Sequence, residues 1–217
     1  MTSKILNIAY KTPEWYDLRK THIGGSDIGA ILGLDKYCTA VDLWNEKTDK
    51  SVKKTCSSNA FMEYGTKAEE PLAKLFELDF PCYKIIAPKD IVYESGYRMA
   101  SLDLLLTDKA TNEVGIGEIK TANDIGGKVR KQWTKNHIPD KYYAQILHYF
   151  ATEETFKFAV IMAYIKTKDG ELPYAETIYR TIRREECLDD IEYIKKEEEK
   201  FMDCVRNNRN PYTRLFI

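Results

Sequence analysis

Hydrophobic and polar positions divide the chain into segments of helical period and segments of strand period. Apolar residues spaced three or four apart indicate helices, and short β-rich runs indicate strands. The helical pattern predicts segments at 13–20, 28–32, 41–47, 61–78, 139–150 and 184–206. The strand pattern predicts segments at 84–87, 91–94, 98–106, 113–120, 158–166 and 174–182. The polar residues 49–58 and the basic residues 124–138 are predicted to be loops.

Capping residues set several helix boundaries. Thr12 and Thr39 are typical N-caps, and Ser26-Asp27 is a third candidate. Gly33 is a typical C-terminal stop, and Pro71 predicts a kink in helix 61–78.

The order of these segments predicts an α/β (α+β) fold, with a central mixed β-sheet flanked by helices. A chain of 217 residues suits a single domain. Within it we distinguish a helical N-terminal region (1–80), a sheet core (81–182) and a C-terminal helix (183–217).

Composition and charge exclude several classes of protein. With 43% hydrophobic residues, 31% charged residues and a net charge of −1, the chain is not of disordered, collagen-like or membrane-spanning type. Bulk charge does not favour nucleic acid, whose binding requires cations that neutralise phosphates, so such a role needs a local basic patch. We expect a cytoplasmic protein, because we find no signal peptide, no run of about 18 apolar residues and no C-x-x-C pair among the five cysteines.

The strongest candidate chemistry lies on two predicted strands of the core. Glu118 and Lys120 share one strand face because side chains alternate, and a hairpin pairing brings Asp103 to the same point. Two carboxylates suit Mg²⁺ or Mn²⁺, and the backbone carbonyl of Ile119 is a further potential ligand. Such a site supports phosphodiester hydrolysis, with Lys120 orienting water and stabilising negative charge. The same spacing also occurs on ordinary amphipathic strands, so a solvated strand face is the alternative.

A series of motifs surrounds this pattern. Before it come Trp15-x-x-x-Arg19, Ile23-Gly-Gly-Ser-Asp-Ile-Gly-Ala-Ile-Leu-Gly33, Leu43-Trp44-x-Glu46-Lys47-Thr48 and Gly65-x-x-x-Glu69, and after it comes Ile138-Pro139-x-x-Tyr142-Tyr-Ala-Gln145-Ile-Leu-His-Tyr149. In this order, over residues 13–165, the motifs resemble the YqaJ-like viral recombinase family. That family is the branch of the PD-(D/E)xK nucleases that includes phage lambda exonuclease, so the resemblance implies a restriction-endonuclease-like core.

The resemblance implies roles for individual residues. By position, the catalytic residues are Asp103, Glu118 and Lys120, joined by Glu69 and by Gln145, which orients the nucleophile or holds the lysine. The metal ligands are then Asp103, Glu118, Glu69 and the Ile119 carbonyl. Glu70 is the alternative to Glu69 because the register is open by one residue.

Further positions are candidates for DNA contact. In exonucleases of the family an Arg and a Ser bind the 5′-terminal phosphate, and they match Arg19 and Ser26. A guanidinium fork matches phosphate oxygens, and amides at a helix N-terminus favour anions. The segment from Thr121 to Lys141 has five basic and two acidic residues, so Lys128, Arg130 and Lys131 are candidates to track the DNA backbone. Tyr142 is a candidate to stack on bases, with packing in the core as the alternative.

The expected function is a metal-dependent 5′→3′ exonuclease that acts on double-stranded DNA ends. The resemblance implies two Mg²⁺ (or Mn²⁺) ions, a single-strand annealing protein as partner in phage-type recombination, and a trimeric ring as one possible assembly. No membrane association is expected. An endonuclease or an RNase on the same fold is the first alternative, and a non-catalytic module that binds DNA or a protein is the second.

Overall fold

A computed structural model describes residues 3–48, 60–124, 126–134, 136–167 and 174–211. The predicted loop at 49–58 lies outside the described residues. The helices are α1 (Pro13–Thr21), α2 (Ile28–Ile31), α3 (Ala40–Thr48), α4 (Ala60–Asp79), α5 (Lys128–Lys131), α6 (Asp140–Thr152) and α7 (Leu188–Arg206). The strands are β1 (Lys4–Asn7), β2 (Ile23–Gly24), β3 (Tyr83–Ile86), β4 (Ile91–Ser95), β5 (Arg98–Ala100), β6 (Leu104–Asp108), β7 (Val114–Asp124), β8 (Phe156–Thr167) and β9 (Tyr174–Arg183). Short 3₁₀ turns cover Gly25–Asp27 and Arg184–Glu186.

The strands form two sheets rather than the single one that we predicted. The larger sheet has the order β3-β6-β7-β8-β9 and is mixed, because β7 and β8 run parallel while its other pairs are antiparallel. The smaller sheet has the order β1-β4-β5-β2, with β2 parallel to β5. The α+β class and the mixed sheet are confirmed.

Strand β8 shows how the large sheet is covered by helices on both faces. Phe158, Val160 and Met162 pack with residues of α4, whereas the alternate residues, including Ala159 and Ile161, pack in the core cluster that contains α6 and α7. Nearly every residue of β8 is therefore buried, which is the pattern of a central strand. The same alternation on β7 directs Glu118 and Lys120 toward α6.

The predicted strand 98–106 is interrupted. Residues 101–103 are irregular, and the chain passes there from β5 in the small sheet to β6 in the large sheet. Asp103 therefore precedes β6 instead of lying on a strand as we predicted. The hairpin prediction is confirmed, because β6 pairs antiparallel with β7 in a register that joins Leu104 to Gly117.

Local signals had mixed outcomes. The Thr12 hydroxyl accepts the Trp15 N–H at 3.4 Å, and the Thr39 hydroxyl accepts the Asp42 N–H at 3.2 Å, so both N-caps are confirmed. The cap at Ser26-Asp27 is wrong, because the Asp27 side chain makes no capping bond to α2 and turns back to the Gly24 N–H. The pattern also missed β1, β2 and the short helix α5, which lies in the predicted loop 124–138, because their few residues carry little periodicity.

Helix α7 is attached to α6 by a buried polar cluster. Glu198 forms an ion pair with Arg98, and its other carboxylate oxygen lies 2.6 Å from His148 Nδ1. His148 Nε2 lies 3.0 Å from the Met99 carbonyl oxygen. The cluster fixes α6 against β5, and α6 carries Gln145 into the site. Separately, none of the described helices is long and apolar enough to cross a membrane.

Candidate active site

Asp103 sits at the open end of the β6–β7 hairpin. Pairing of the two strands ends at Leu104 and Gly117, and the Asp103 carboxylate continues the ladder by accepting the Ile119 N–H at 2.8 Å. A Cβ on Gly117 would lie 2.8 Å from the Leu104 Cβ, so the glycine makes room for the leucine that follows Asp103.

Glu118, Lys120 and Gln145 form one hydrogen-bonded group. The Lys120 ammonium donates to Glu118 Oε1 at 2.6 Å and to Gln145 Oε1 at 2.9 Å. Gln145 Nε2 donates to the same Glu118 oxygen at 2.7 Å and to the Tyr149 hydroxyl at 2.7 Å. Gln145 therefore fixes the relative positions of the carboxylate and the lysine.

Glu118 Oε2 is buried and has no hydrogen-bond partner among the described residues. Burial, together with the nearby charge of Asp103, raises the pKa of Glu118 to about 7. Burial also raises the pKa of Asp103. For Lys120, burial acts downward, but the charges of Glu118 and Asp103 outweigh it and raise its pKa. The single ammonium of Lys120 therefore does not compensate for the burial of the two carboxylates.

Glu69 and Glu70 differ in their surroundings. Glu69 is half-buried, and burial followed by the charge of Asp103 raises its pKa. Glu70 is exposed and pairs with Lys74 at 2.9 Å along α4. The charge of Asp103 therefore acts on Glu69, and Glu69 is the better candidate of the two for a metal ligand.

A second cluster lies on the turn that follows α1. Arg19 donates to the Ser26 hydroxyl at 3.1 Å and forms an ion pair with the buried Asp27. Gly24 and Gly25 allow this turn to approach its neighbours closely. A Cβ on Gly25 would lie 2.6 Å from the Tyr149 ring and 3.0 Å from Gln145 Cγ.

One cleft of about 300 Å³ joins the two clusters. The sequence-predicted residues that line it are Arg19, Ser26, Glu69, its alternative Glu70, Asp103, Glu118, Ile119, Lys120 and Gln145. The parallel pairing of β2 with β5 explains their proximity, because β2 leads into Gly24-Gly25-Ser26 and β5 leads toward Asp103.

The remaining candidates do not line this cleft. Lys128 and Lys131 are exposed on α5, and Arg130 pairs with the buried Asp124 at 3.1 Å, which gives it a structural contact as well. The Tyr142 ring stacks on Trp133, with centroids 5.8 Å apart, and lies 5.1 Å from the Lys120 ammonium. The roles of these four residues in DNA contact remain predictions.

The donor set fits a hard divalent cation. Within the described part of the chain no three His, Cys, Asp or Glu side chains form a ready-made metal cluster. Two oxygen donors are nevertheless favourably placed, namely Asp103 and the unpartnered Glu118 Oε2. The N–H and C=O of a strand residue point to the same edge, so the Ile119 carbonyl shares the side of Asp103. Mg²⁺ commonly takes one or two carboxylates and keeps several waters, which suits such a partial set.

Sequence reasoning missed three residues of the site. Asp27 was interpreted as a helix cap, whereas Lys47 and Tyr149 were quoted in motifs without an assigned role. In the structure Asp27 and Lys47 support Arg19, and the Tyr149 hydroxyl supports Gln145. Their membership in the matched motifs was the available signal.

The fold places the chain in a known structural class. It aligns with the crystal structure of an alkaline exonuclease from Laribacter hongkongensis at a TM-score of 0.60 and 17% identity, covering 91% of this chain and 94% of that one. The structure of the same exonuclease in complex with dAMP aligns with the same values. At this identity the match shows a shared fold.

The sequence identifies the family. The YqaJ-like viral recombinase domain matches residues 14–155. The chain therefore belongs to the YqaJ-like viral recombinase family, as its motifs predicted. The uncharacterized protein YqaJ of Bacillus subtilis (strain 168) is 32% identical over 157 residues, which are 69% of this chain and 46% of that protein. The chain thus spans about half the length of this curated relative.

Proposed function

We propose that this chain is a Mg²⁺- or Mn²⁺-dependent exonuclease that removes nucleotides from the 5′ ends of double-stranded DNA. The observation that carries the proposal is the shared cleft, which joins Arg19 and Ser26 to Asp103, Glu118 and Lys120. An anchor for a terminal phosphate beside a hydrolytic centre favours cleavage near a DNA end. Membership in a viral recombinase family supports a DNA substrate.

The chain supplies positioning and charge. Asp103, Glu118, the Ile119 carbonyl and Glu69 would hold two ions, which supply Lewis acidity and lower the pKa of bound water. Lys120, fixed by Glu118 and Gln145, orients the attacking water and stabilises negative charge on the phosphate. Arg19 and the Ser26 hydroxyl hold the 5′-phosphate, so that the scissile bond lies at the carboxylates.

Affinity for DNA must come from local binding groups, because the net charge of the whole chain is only −1. We propose that the phosphate anchor, the basic segment around Lys128 and Lys131, and Tyr142 supply it, and that a trimeric ring adds enclosure. A single-strand annealing protein would take up the product strand. Mass measurement in solution tests the ring.

Site variants test the proposal. Asp103→Ala and Lys120→Ala should abolish Mg²⁺-dependent digestion of linear duplex DNA while retaining the circular dichroism spectrum of the parent. Asp189→Ala and Lys196→Ala, which remove the same charges from exposed positions of α7, are the matched controls and should digest normally. Digestion by the two site variants at the parent rate would overturn the assignment.

A substrate panel tests direction and nucleic acid. The parent should digest linear duplex DNA with 5′-phosphate ends faster than the same DNA with 5′-hydroxyl ends, and Arg19→Ala should remove the difference. Cutting of closed circular DNA as fast as linear DNA would favour an endonuclease, and cutting of RNA faster than DNA would favour an RNase.

A further inference from the structure

Lys47 belongs to a motif that has no role in the proposed chemistry. It lies near the end of α3, and its side chain is only 3% exposed. Its ammonium donates to Asp27 Oδ2 at 3.2 Å, to the Arg19 carbonyl at 3.0 Å and to the His22 carbonyl at 2.6 Å. All three donor positions of a lysine are therefore used, and a buried charge with this many partners is a built feature.

Asp27 connects this lysine to the cleft. The carboxylate is 4% exposed and accepts the Gly24 N–H at 3.0 Å, in addition to its contacts with Arg19 and Lys47. Arg19 has other N–H groups, and it lines the cleft together with Ser26. Asp27 does not line the cleft, but it holds the guanidinium of Arg19, which does.

The charges of these residues decide whether the turn attracts an anion. Arg19 with Asp27 alone is neutral, and a neutral buried pair offers an incoming phosphate little net attraction. With the Lys47 ammonium the group carries a net positive charge. A side chain fixed in advance also loses less entropy when its ligand binds.

We propose that Lys47 is a positioning residue that neutralises Asp27, so that Arg19 keeps its positive charge for a 5′-terminal phosphate. The inference rests on the proposed function, because it concerns the same phosphate anchor. Lys47 touches no substrate and acts through Asp27 and Arg19.

The test compares binding of a hairpin duplex bearing a 5′-phosphate with binding of the same hairpin bearing a 5′-hydroxyl. Binding is measured in EDTA, so that the result does not depend on cleavage. Lys47→Met should reduce the preference for the phosphorylated hairpin by about tenfold or more. Lys20→Met is the matched control, because Lys20 is 63% exposed on α1 and, within the described residues, forms an ion pair with Asp17 alone. It should keep the parent preference.

A double variant separates charge from structural support. Asp27→Asn combined with Lys47→Met removes both buried charges, restores the net positive charge of the group and leaves an amide oxygen to accept from Arg19. It should recover most of the lost preference, although the Lys47 hydrogen bonds to the Arg19 and His22 carbonyls are still absent. A folded double variant as poor as Lys47→Met would overturn the inference, as would a Lys47→Met variant that binds like the parent.

Two further results keep the test decisive. If Lys47→Met does not fold, the double variant decides alone, because the inference requires it to prefer the phosphorylated hairpin. If the parent digests linear DNA and prefers phosphorylated ends while Lys47→Met keeps that preference, the inference fails and the proposed function stands. If the parent digests no DNA, the proposed function fails.

Discussion

Two lysine–carboxylate pairs differ in completeness: Glu118 and Lys120 line the cleft, whereas Asp27 and Lys47 lie behind Arg19, which lines it. Lys47 lies 3.2 Å from Asp27, and Lys120 lies 2.6 Å from Glu118. Both carboxylates are almost fully buried. Asp27 also contacts Arg19 and a backbone N–H, whereas Glu118 faces Asp103 and leaves Oε2 unpartnered within the described structure.

The pKa shifts of the two carboxyls have opposite directions. Burial alone would raise the pKa of Asp27, but Arg19, Lys47 and the Gly24 N–H lower it overall. Burial and Asp103 raise the pKa of Glu118 to about 7. The Asp27 pair is therefore satisfied by the chain itself and supports Arg19. The Glu118 pair still lacks positive charge, which is the condition expected of a site that binds a cation.

The largest expected effect is on stability at Asp27. Asp27→Ala leaves Lys47 buried without its carboxylate and should lower the free energy of unfolding by about 3–5 kcal/mol. Glu118→Ala should cost clearly less, because burial already disfavours that carboxylate and Lys120 retains Asp103 nearby. Urea unfolding in EDTA measures both variants. An equal loss of unfolding free energy in Asp27→Ala and Glu118→Ala would show that the two lysine–carboxylate pairs do not differ in this way.

A smaller effect, on catalysis, is expected at Glu118. Glu118→Gln should slow Mg²⁺-dependent digestion of 5′-phosphorylated duplex by about 100- to 1000-fold, since it removes a charge that acts at the reacting phosphate. Its melting temperature in EDTA should not fall. The matched control is Glu192→Gln, on the exposed side of α7, which should digest like the parent. Near-normal digestion by Glu118→Gln would remove this residue from the site.

The smallest effects are the pH dependences, which should have opposite signs. Because the pKa of Asp27 is lowered below 3.8, its stabilisation is present above that pH and is lost as the pH falls further. Because the pKa of Glu118 is raised from 4.5 to about 7, its contribution is present below pH 4.5 and is lost as the pH rises to about 7.

Unfolding in EDTA across this pH range tests both signs. The parent should have a larger free energy of unfolding than Asp27→Asn at neutral pH, and this difference should disappear only in acid. Relative to Glu118→Gln, the parent should lose stability between pH 4.5 and 7. For each variant, the difference in unfolding free energy from the parent is plotted against pH. Slopes of the same sign for Asp27→Asn and Glu118→Gln would contradict the contrast between the two lysine–carboxylate pairs.

Much of the site could be predicted from the sequence because its elements are local. The alternation of Glu118 and Lys120 around Ile119 follows from strand period, and the β6–β7 hairpin follows from a short turn between two β-rich runs. The strand break at residues 101–103 was missed because residues 98–106 were interpreted as one continuous strand. Only pairing partners in two different sheets divide that run.

The sequence by itself determined the family, the α+β class and the set of ionisable residues, because motif order and hydrophobic period are written along the chain. Only the tertiary structure decided which of these residues share a cleft. Arg19 meets Asp103 because β2 pairs with β5, and Lys47 reaches Asp27 because α3 packs beside α1. The roles of buried charges depend on the groups that surround them in space, and distances along the chain do not give these groups.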